Sequence, residues 1–177
     1  MPNKLKDIEW EVINVLAPII LSHVEGCMVD IGIGSSTKIL RKHSKNFGIK
    51  HYSCDIRPRK CAWAKKVGCE VYEKGSFDLM ERFEKQPVAI VFLDGMHKYD
   101  IVKQEVEFFL PLLSYGGVIF IHDTNPPIQF KVEHSVMSSY KLRQELERDE
   151  SVQVFTWPYT AAGYGLTMIM QSVKTEK

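Results

Sequence analysis

Short apolar stretches of strand length alternate along this chain with longer segments in which apolar residues recur every three or four positions. The first pattern is typical of buried strands, and the second of helices that pack against them. The alternation predicts an α/β fold, a doubly wound Rossmann-like domain whose mostly parallel sheet carries helices on both faces. We predict a leading helix at residues 4–23 and strands at residues 27–31, 51–56, 70–73, 88–93, 118–121, 152–157 and 166–170.

The last two predicted strands differ from the others in how they are connected. No helix fits into residues 158–165, so these strands should form an antiparallel pair. Between the fourth and fifth strands, residues 99–113 have helical periodicity, and Gly116 and Gly117 are expected to end that helix before the fifth strand begins. The sheet should therefore have seven strands, with the last one running against the rest.

Length and composition restrict the kind of protein further. The 177 residues suit one domain, residues 1–177, with one site. With 23 basic and 22 acidic residues, the chain has no charge excess that would favour nucleic acid or a membrane surface. The apolar stretch at residues 12–21 is too short to span a bilayer. The four cysteines form no C-x-x-C pair, which favours reduced, buried thiols in a cytoplasmic protein.

A glycine-containing turn follows the first predicted strand. Gly32 and Gly34 suit a tight turn, and Ser35 and Ser36 suit the start of a helix. In open parallel sheets, ligands bind beyond the carboxyl ends of the strands where the strand order reverses, normally beside the first strand. A plain strand-to-helix turn has the same local pattern, so the turn alone does not identify a ligand.

Acidic residues end the first two predicted strands. Asp30 and Asp55 are about 25 residues apart, the separation expected when the second carboxylate accepts hydrogen bonds from the ribose hydroxyls of an adenosyl group. Together with the glycine turn, these residues predict a site for an adenosine-containing ligand.

The segment Val29-Asp30-Ile31-Gly32-Ile33-Gly34-Ser35-Ser36 resembles the first motif of the class I S-adenosylmethionine-dependent methyltransferases. The resemblance covers nearly the whole chain, including the antiparallel last strand, and implies S-adenosyl-L-methionine as the cofactor. It implies Asp30 near the methionyl amino group, Gly32, Gly34, Ser35 and Ser36 along the methionine moiety, Asp55 on the ribose, Ile56 on the adenine face, Ser76 and Phe77 at the adenine edge, and Asp94 also at the cofactor. For Ser76 and Phe77, a helix cap and a core aromatic are equally good explanations.

Acidic and imidazole side chains meet where the fourth and fifth strands end. Asp94 and His97 follow strand four, and His122 and Asp123 follow strand five, its expected neighbour. Two carboxylates and an imidazole suit Mg²⁺ or Mn²⁺, and we predict Asp94, His122 and Asp123 as metal ligands. Such a cation would lower the pKa of an acceptor hydroxyl. Without a metal, His97 or His122 would be the general base.

A second resemblance covers this part of the chain. The pattern Asp-Gly-x-His-x-Tyr, an amphipathic helix, Gly-Gly, a strand and then His-Asp-Thr is similar to macrocin O-methyltransferases and cephalosporin hydroxylase-like proteins. It implies O-methylation of a small-molecule or sugar hydroxyl. The metal ligands of catechol O-methyltransferases would correspond to Asp94, His122 and Asp123. Two departures leave metal use open: His122 stands where relatives carry Glu, and Thr124 where catechol enzymes have Asn.

Two other functions fit the same scaffold. An NAD(P)-dependent oxidoreductase should carry a third glycine at the position of Thr37, and a non-catalytic nucleotide-binding protein would not need Asp94 and Asp123. The expected partner is a small-molecule acceptor rather than nucleic acid or membrane. Because few insertions are available to cover the site, a second copy of the chain in a homodimer is an option for completing the pocket.

Overall fold

The computed structural model describes residues 8–125, 136–157 and 164–172. In these ranges the strands are β1 (Cys27–Ile31), β2 (His51–Cys54), β3 (Glu70–Tyr72), β4 (Val88–Leu93), β5 (Leu113–His122), β6 (Val152–Trp157) and β7 (Leu166–Gln171). The helices are α1 (Ile8–Leu21), α2 (Ser35–Phe47), α3 (Pro58–Lys66), α4 (Ser76–Arg82), α5 (Tyr99–Phe109) and α6 (Val136–Leu146). Of these helices, none is long and apolar enough to cross a membrane.

All seven strands belong to one sheet, in the order β3-β2-β1-β4-β5-β7-β6. β7 is antiparallel to both of its neighbours, whereas the pairs among β1 to β5 are parallel. The predicted fold class is therefore confirmed, including the reversed last strand. Because the strand order reverses between β1 and β4, a crevice opens beyond the carboxyl ends of these two strands, where ligands bind in such sheets.

Every residue of β1 and β4 is buried, as expected for central strands covered on both faces. On one face α1 contributes Ile13 and Ala17 to a cluster with Phe92 and Phe120. On the other face Val102, Val106 and Phe109 of α5 belong to the largest buried cluster. Packing on both faces holds β1 and β4 in position, and with them the crevice at their carboxyl ends.

Local boundaries depart from the predicted ones in two places. The helix predicted to reach residue 113 ends at Phe109, and a 3₁₀ turn, Leu110–Leu112, follows it. β5 begins at Leu113 and continues through Gly116 and Gly117, because Gly116 adopts φ +81° within an irregular register against β4. These glycines bend the strand rather than precede it. The second departure is α4, for which no range was predicted.

Candidate functional site

A cavity of about 400 Å³ opens at the carboxyl ends of β1, β2 and β4. Its lining is Ile31, Gly32, Cys54, Asp55, Ile56, Arg57, Lys74, Gly75, Ser76, Phe77, Gly95, Met96 and Ile101. The side chains of Ile56 and Phe77 are 68% and 49% exposed, although both are large and apolar. Exposed apolar side chains that converge on one concave surface, with a few polar groups among them, are typical of a small-molecule site.

The first wall of the cavity is the turn after β1, where Gly32 leaves no room for a side chain. Gly32 has φ +95°, and a Cβ there would lie 2.1 Å from the backbone oxygen of Asp94. The turn after β1 and the turn after β4 therefore pass directly against each other. Gly34 is different, because it has φ −167° and a Cβ there would meet no atom within 4 Å. Its lack of a side chain leaves open space at the start of α2.

This contrast predicts a large loss of stability for one alanine substitution and a small loss for the other. Gly32→Ala should lower the free energy of unfolding by more than about 3 kcal/mol, because backbone atoms must shift. Gly34→Ala should lower it by less than about 1 kcal/mol. Urea denaturation measures both values, and similar losses in the two variants would contradict the close passage described above.

Asp30, at the end of β1, is fully buried and its carboxylate faces α2 rather than the cavity. One oxygen accepts a hydrogen bond from Ser36 Oγ at 3.1 Å, and the other accepts one from Thr37 Oγ1. Thr37 Oγ1 also accepts a hydrogen bond from the backbone N–H of Gly34 at 2.8 Å. Asp30 therefore holds the first turn of α2 in place. Its contact with a methionyl amino group stays a prediction.

The burial of Asp30 predicts a contribution to stability that falls as the pH rises. Burial raises its pKa to about 7, against the opposing hydrogen bonds of Thr37 and Ser36, and burial also raises the pKa of Glu105 to about 7. The folded protein keeps these protons where the unfolded chain releases them, so the contribution of these two groups to the free energy of unfolding should decline from about pH 4 to about pH 7. Burial lowers the pKa of His51 to about 3, and this group contributes in the opposite direction over the same range. The free energy of unfolding of Asp30→Asn relative to wild type, measured by urea denaturation, should therefore rise from about pH 4 to about pH 7, and a constant difference would exclude Asp30 as a source of the pH dependence.

Asp55 follows β2 directly and lies on the cavity wall with only 3% of its side chain exposed. Its Oδ2 accepts a hydrogen bond from the backbone N–H of Ile33 at 3.1 Å, and the guanidinium of Arg57 bonds both carboxylate oxygens. Burial alone would raise the pKa of Asp55, but the hydrogen bonds and charge of Arg57 hold it below its ordinary value. Asp55 is therefore an ionised acceptor beside the cavity, and its contact with a ribose stays a prediction.

Asp94, His97 and Asp123 form a group beside the cavity, which we call the rim group. One ligand atom from each residue lies within 4.8 Å of the others, and all three side chains are partly exposed. The Nε2 of His97 is 3.2 Å from Asp123 Oδ2 and 3.6 Å from Asp94 Oδ1. Two oxygens and an imidazole nitrogen at this spacing fit one divalent cation with bonds of about 2.0–2.6 Å.

His122 was predicted as a metal ligand with Asp94 and Asp123; in the structure His97 supplies the third ligand atom of the rim group, and His122 lies against the same two carboxylates from the protein interior. The Nε2 of His122 is 2.7 Å from Glu9 Oε2, and its Nδ1 is 3.0 Å from Asp94 Oδ1 and 3.2 Å from Asp123 Oδ1. Burial opposes the charged ring, but the carboxylates of Asp123, Asp94 and Glu9 together raise the pKa of His122 to about 12. The roles of His122 as metal ligand and as general base stay predictions.

Glu9 and Trp10 of α1 are two residues beside the rim group that the sequence did not indicate. Glu9 is buried, with Oε1 accepting the backbone N–H of Gly165 at 2.9 Å. The ring of Trp10 stacks on His122 with 5.2 Å between ring centroids. A contact that spans 113 residues leaves no local sequence signal. α1 is thereby fastened to the ends of β5 and β7.

The backbone at the end of β5 directs successive residues to different places. Asp123 has φ +57°, a left-handed conformation that turns the chain sharply, and it joins the rim group. Thr124 is fully buried, and its Oγ1 lies 2.7 Å from Thr167 Oγ1 in β7. Thr124 therefore stabilises the β5–β7 pair, and the rim group receives no side chain from that position.

The predicted cofactor residues fall into two sets. Gly32, Asp55, Ile56, Ser76 and Phe77 line the cavity. The remaining five do not line it: Asp30 lies in β1, Gly34, Ser35 and Ser36 lie at the start of α2, and Asp94 precedes the lining residue Gly95. The sequence did not indicate the lining residues Arg57, Lys74, Met96 and Ile101, although the first three lie within three positions of a predicted strand end.

Comparisons with known proteins identify a family and a shared fold. A family model described as a methyltransferase domain matches residues 29–124. No curated protein sequence matches the chain. Many solved structures are similar to the chain in fold, including the following three. The SAH-bound methyltransferase PaMTH1 of Podospora anserina is 15% identical, with a TM-score of 0.74, covering 94% of this chain and 79% of that one.

The other two solved structures are described as O-methyltransferases. The Bacillus cereus enzyme in complex with SAH is 16% identical, with a TM-score of 0.73, covering 97% of this chain and 84% of that one. TomG of Streptomyces achromogenes, involved in tomaymycin synthesis and in complex with SAM, is 16% identical, with a TM-score of 0.67, covering 94% of this chain and 80% of that one.

Proposed function

Because this chain belongs to the methyltransferase domain family, whose model matches more than half of it, we propose that it transfers the methyl group of S-adenosylmethionine to a hydroxyl oxygen of a small molecule. The family identifies the transfer of a methyl group. The donor, the acceptor atom and the residues involved are inferred below from the chemistry of the site.

The observation that carries the proposal is the continuity of the cavity with the rim group. Gly95 and Met96 line the cavity, and the residues on either side of them, Asp94 and His97, belong to the rim group. A donor held in the cavity would therefore have its reactive end beside two carboxylates and an imidazole. Such proximity is the main requirement for a transfer reaction between two bound molecules.

Within the cavity, the chemistry of the lining suits an adenosyl group. Asp55 offers an ionised acceptor for ribose hydroxyls, and the exposed faces of Ile56 and Phe77 offer apolar surface for a purine ring. Ser76 offers a hydroxyl at the same end. The open space at Gly34 lets a methionine moiety approach the backbone at the start of α2, next to Ser35 and Ser36.

At the rim, we assign Asp94, His97 and Asp123 as the residues that act on the acceptor. Their donor atoms fit a divalent cation such as Mg²⁺ or Mn²⁺, which when bound would lower the pKa of the acceptor hydroxyl. Without a cation, His97 is the residue in position to take the hydroxyl proton, with Asp94 and Asp123 orienting its ring. His122, paired with Glu9, would keep Asp94 and Asp123 together.

The proposed acceptor class rests on the likeness of the rim pattern to macrocin O-methyltransferases and on the two neighbours described as O-methyltransferases. A chain with a formal charge of +1 has no surface excess that favours nucleic acid. We therefore propose a dissolved small molecule or sugar as acceptor, in the cytoplasm. A homodimer stays a prediction. The methyltransferase family match does not favour the oxidoreductase alternative.

A methyl-transfer assay tests this function. The protein is incubated with S-adenosylmethionine and panels of hydroxylated sugars, phenols and antibiotics, with Mg²⁺ or with a chelator, and S-adenosylhomocysteine is measured. We expect turnover with at least one hydroxyl acceptor, and loss of turnover with the chelator if a cation is used. Turnover that the chelator leaves unchanged would favour His97 as the base. Transfer only to nitrogen or carbon acceptors would contradict O-methylation.

A further inference from the structure

The carboxylate of Asp55 has no free acceptor position in the structure. Oδ1 accepts hydrogen bonds from the backbone N–H of Arg57 at 2.9 Å and from Arg57 Nε at 2.8 Å. Oδ2 accepts hydrogen bonds from the backbone N–H of Ile33 at 3.1 Å and from Arg57 Nη2 at 2.8 Å. A carboxylate has about four lone-pair positions, so these four donors occupy all of them.

Two of the four donors belong to an exposed side chain, and the ammonium of Lys60, 3.6 Å from Oδ2, is too distant to add a fifth hydrogen bond. The backbone N–H groups are fixed by the turns around Asp55, whereas Nε and Nη2 belong to a side chain that is 60% exposed. They approach the two oxygens as a pair of neighbouring donors, one to each oxygen. Two adjacent ribose hydroxyls present the same arrangement of donors. Arg57 also lines the cavity, so its guanidinium stands where a ribose would bind.

We propose that Arg57 is a gate on the ribose-binding carboxylate, closed on Asp55 in the free protein and displaced into solvent when an adenosyl ligand binds. This inference rests on the proposed function, because it assumes that the ligand carries a ribose. The apparent affinity is then the intrinsic affinity reduced by the fraction of protein in which the gate is open. Arg57 therefore weakens binding, in contrast to a side chain that contacts the ligand.

The test measures S-adenosylhomocysteine binding to the wild-type protein, Arg57→Ala and Arg57→Lys by calorimetry and stopped-flow. Arg57→Ala should bind about three- to tenfold more tightly, through a faster association rate with an unchanged dissociation rate. Arg57→Lys keeps the positive charge but loses the paired donors, and it should also bind more tightly than wild type. The matched control is Arg59→Ala, which removes an exposed cation two positions further along and should bind as wild type does.

The outcomes distinguish a failure of the Arg57 gate from a failure of the proposed methyltransferase function. Weaker binding by Arg57→Ala with a faster dissociation rate would identify Arg57 as a ligand contact and overturn the gate, as would an unchanged affinity. Tighter binding by Arg59→Ala to the same extent would assign the effect to general charge and also overturn it. Failure of the folded wild-type protein to bind S-adenosylhomocysteine would overturn the proposed function itself. Thermal melting of each variant confirms that the fold is retained.

Discussion

Replacing Asp123 by asparagine should lower kcat for methyl transfer by at least about 100-fold while changing the affinity for S-adenosylhomocysteine by less than about threefold. Asp123 faces His97 and His122 and does not line the cavity. Its loss removes a carboxylate from the group proposed to act on the acceptor and leaves the donor cavity intact. Measuring kcat and the calorimetric affinity together distinguishes a selective loss of catalysis from a general loss of function.

Asparagine is the informative substitution for Asp123 because it tolerates the backbone conformation at this position. Asp123 has φ +57°, and asparagine adopts this left-handed conformation more readily than most residues. Asp123→Asn should therefore fold with little strain. The control is Asp100→Asn, an exposed carboxylate in the first turn of α5, which should keep kcat within about twofold. An Asp123→Asn variant with more than a third of wild-type kcat would remove Asp123 from the catalytic group.

The second large effect is expected at Asp55. Asp55→Asn should weaken S-adenosylhomocysteine binding by about 100-fold, because an amide replaces the carboxylate proposed to accept both ribose hydroxyls. This loss of affinity should exceed any gain in affinity from releasing Arg57, because the ribose hydroxyls would lose hydrogen bonds to a charged acceptor. Calorimetry gives the affinity directly.

Asp55 also stabilises the turn that contains Ile33, so the fold of this variant must be checked. A melting temperature near that of wild type, combined with weak binding, would assign the effect to the ligand. The matched control is Glu73→Gln, which removes an exposed carboxylate just after β3 that pairs with Lys65. Unchanged affinity in Asp55→Asn would mean that the ribose lies elsewhere.

The fold could be predicted from the sequence because its central strands are buried on both faces. β1 and β4 are uninterrupted apart from Asp30 and read as apolar runs, and the short connection before β7 required an antiparallel strand. The end of β4, and hence the position of Asp94, followed from those runs. The start of β5 could not be predicted, because Gly116 and Gly117 are as typical of a helix end as of a bent strand.

The composition of the rim group could be predicted only in part. Asp94 and Asp123 follow neighbouring strands, so their proximity is a consequence of topology. Two histidines contact these carboxylates, and His122 also contacts Glu9, a residue 113 positions away whose carboxylate faces Nε2 and which no local pattern indicates. The contact between Arg57 and Asp55 could not be predicted either. Arg57 is two positions after Asp55 in the sequence, but only the folded turn shows that its guanidinium bonds both carboxylate oxygens.

Calorimetric titration of the wild-type protein with S-adenosylhomocysteine, with NAD as the comparison ligand, tests most directly whether the cavity beside Gly32 and Asp55 binds an adenosyl methyl donor. We predict one site per chain with a dissociation constant in the range of about 1 μM to 1 mM, and no comparable heat with NAD. Folded protein that gives no signal with S-adenosylhomocysteine, or that binds NAD as tightly, would contradict the proposed methyltransferase site.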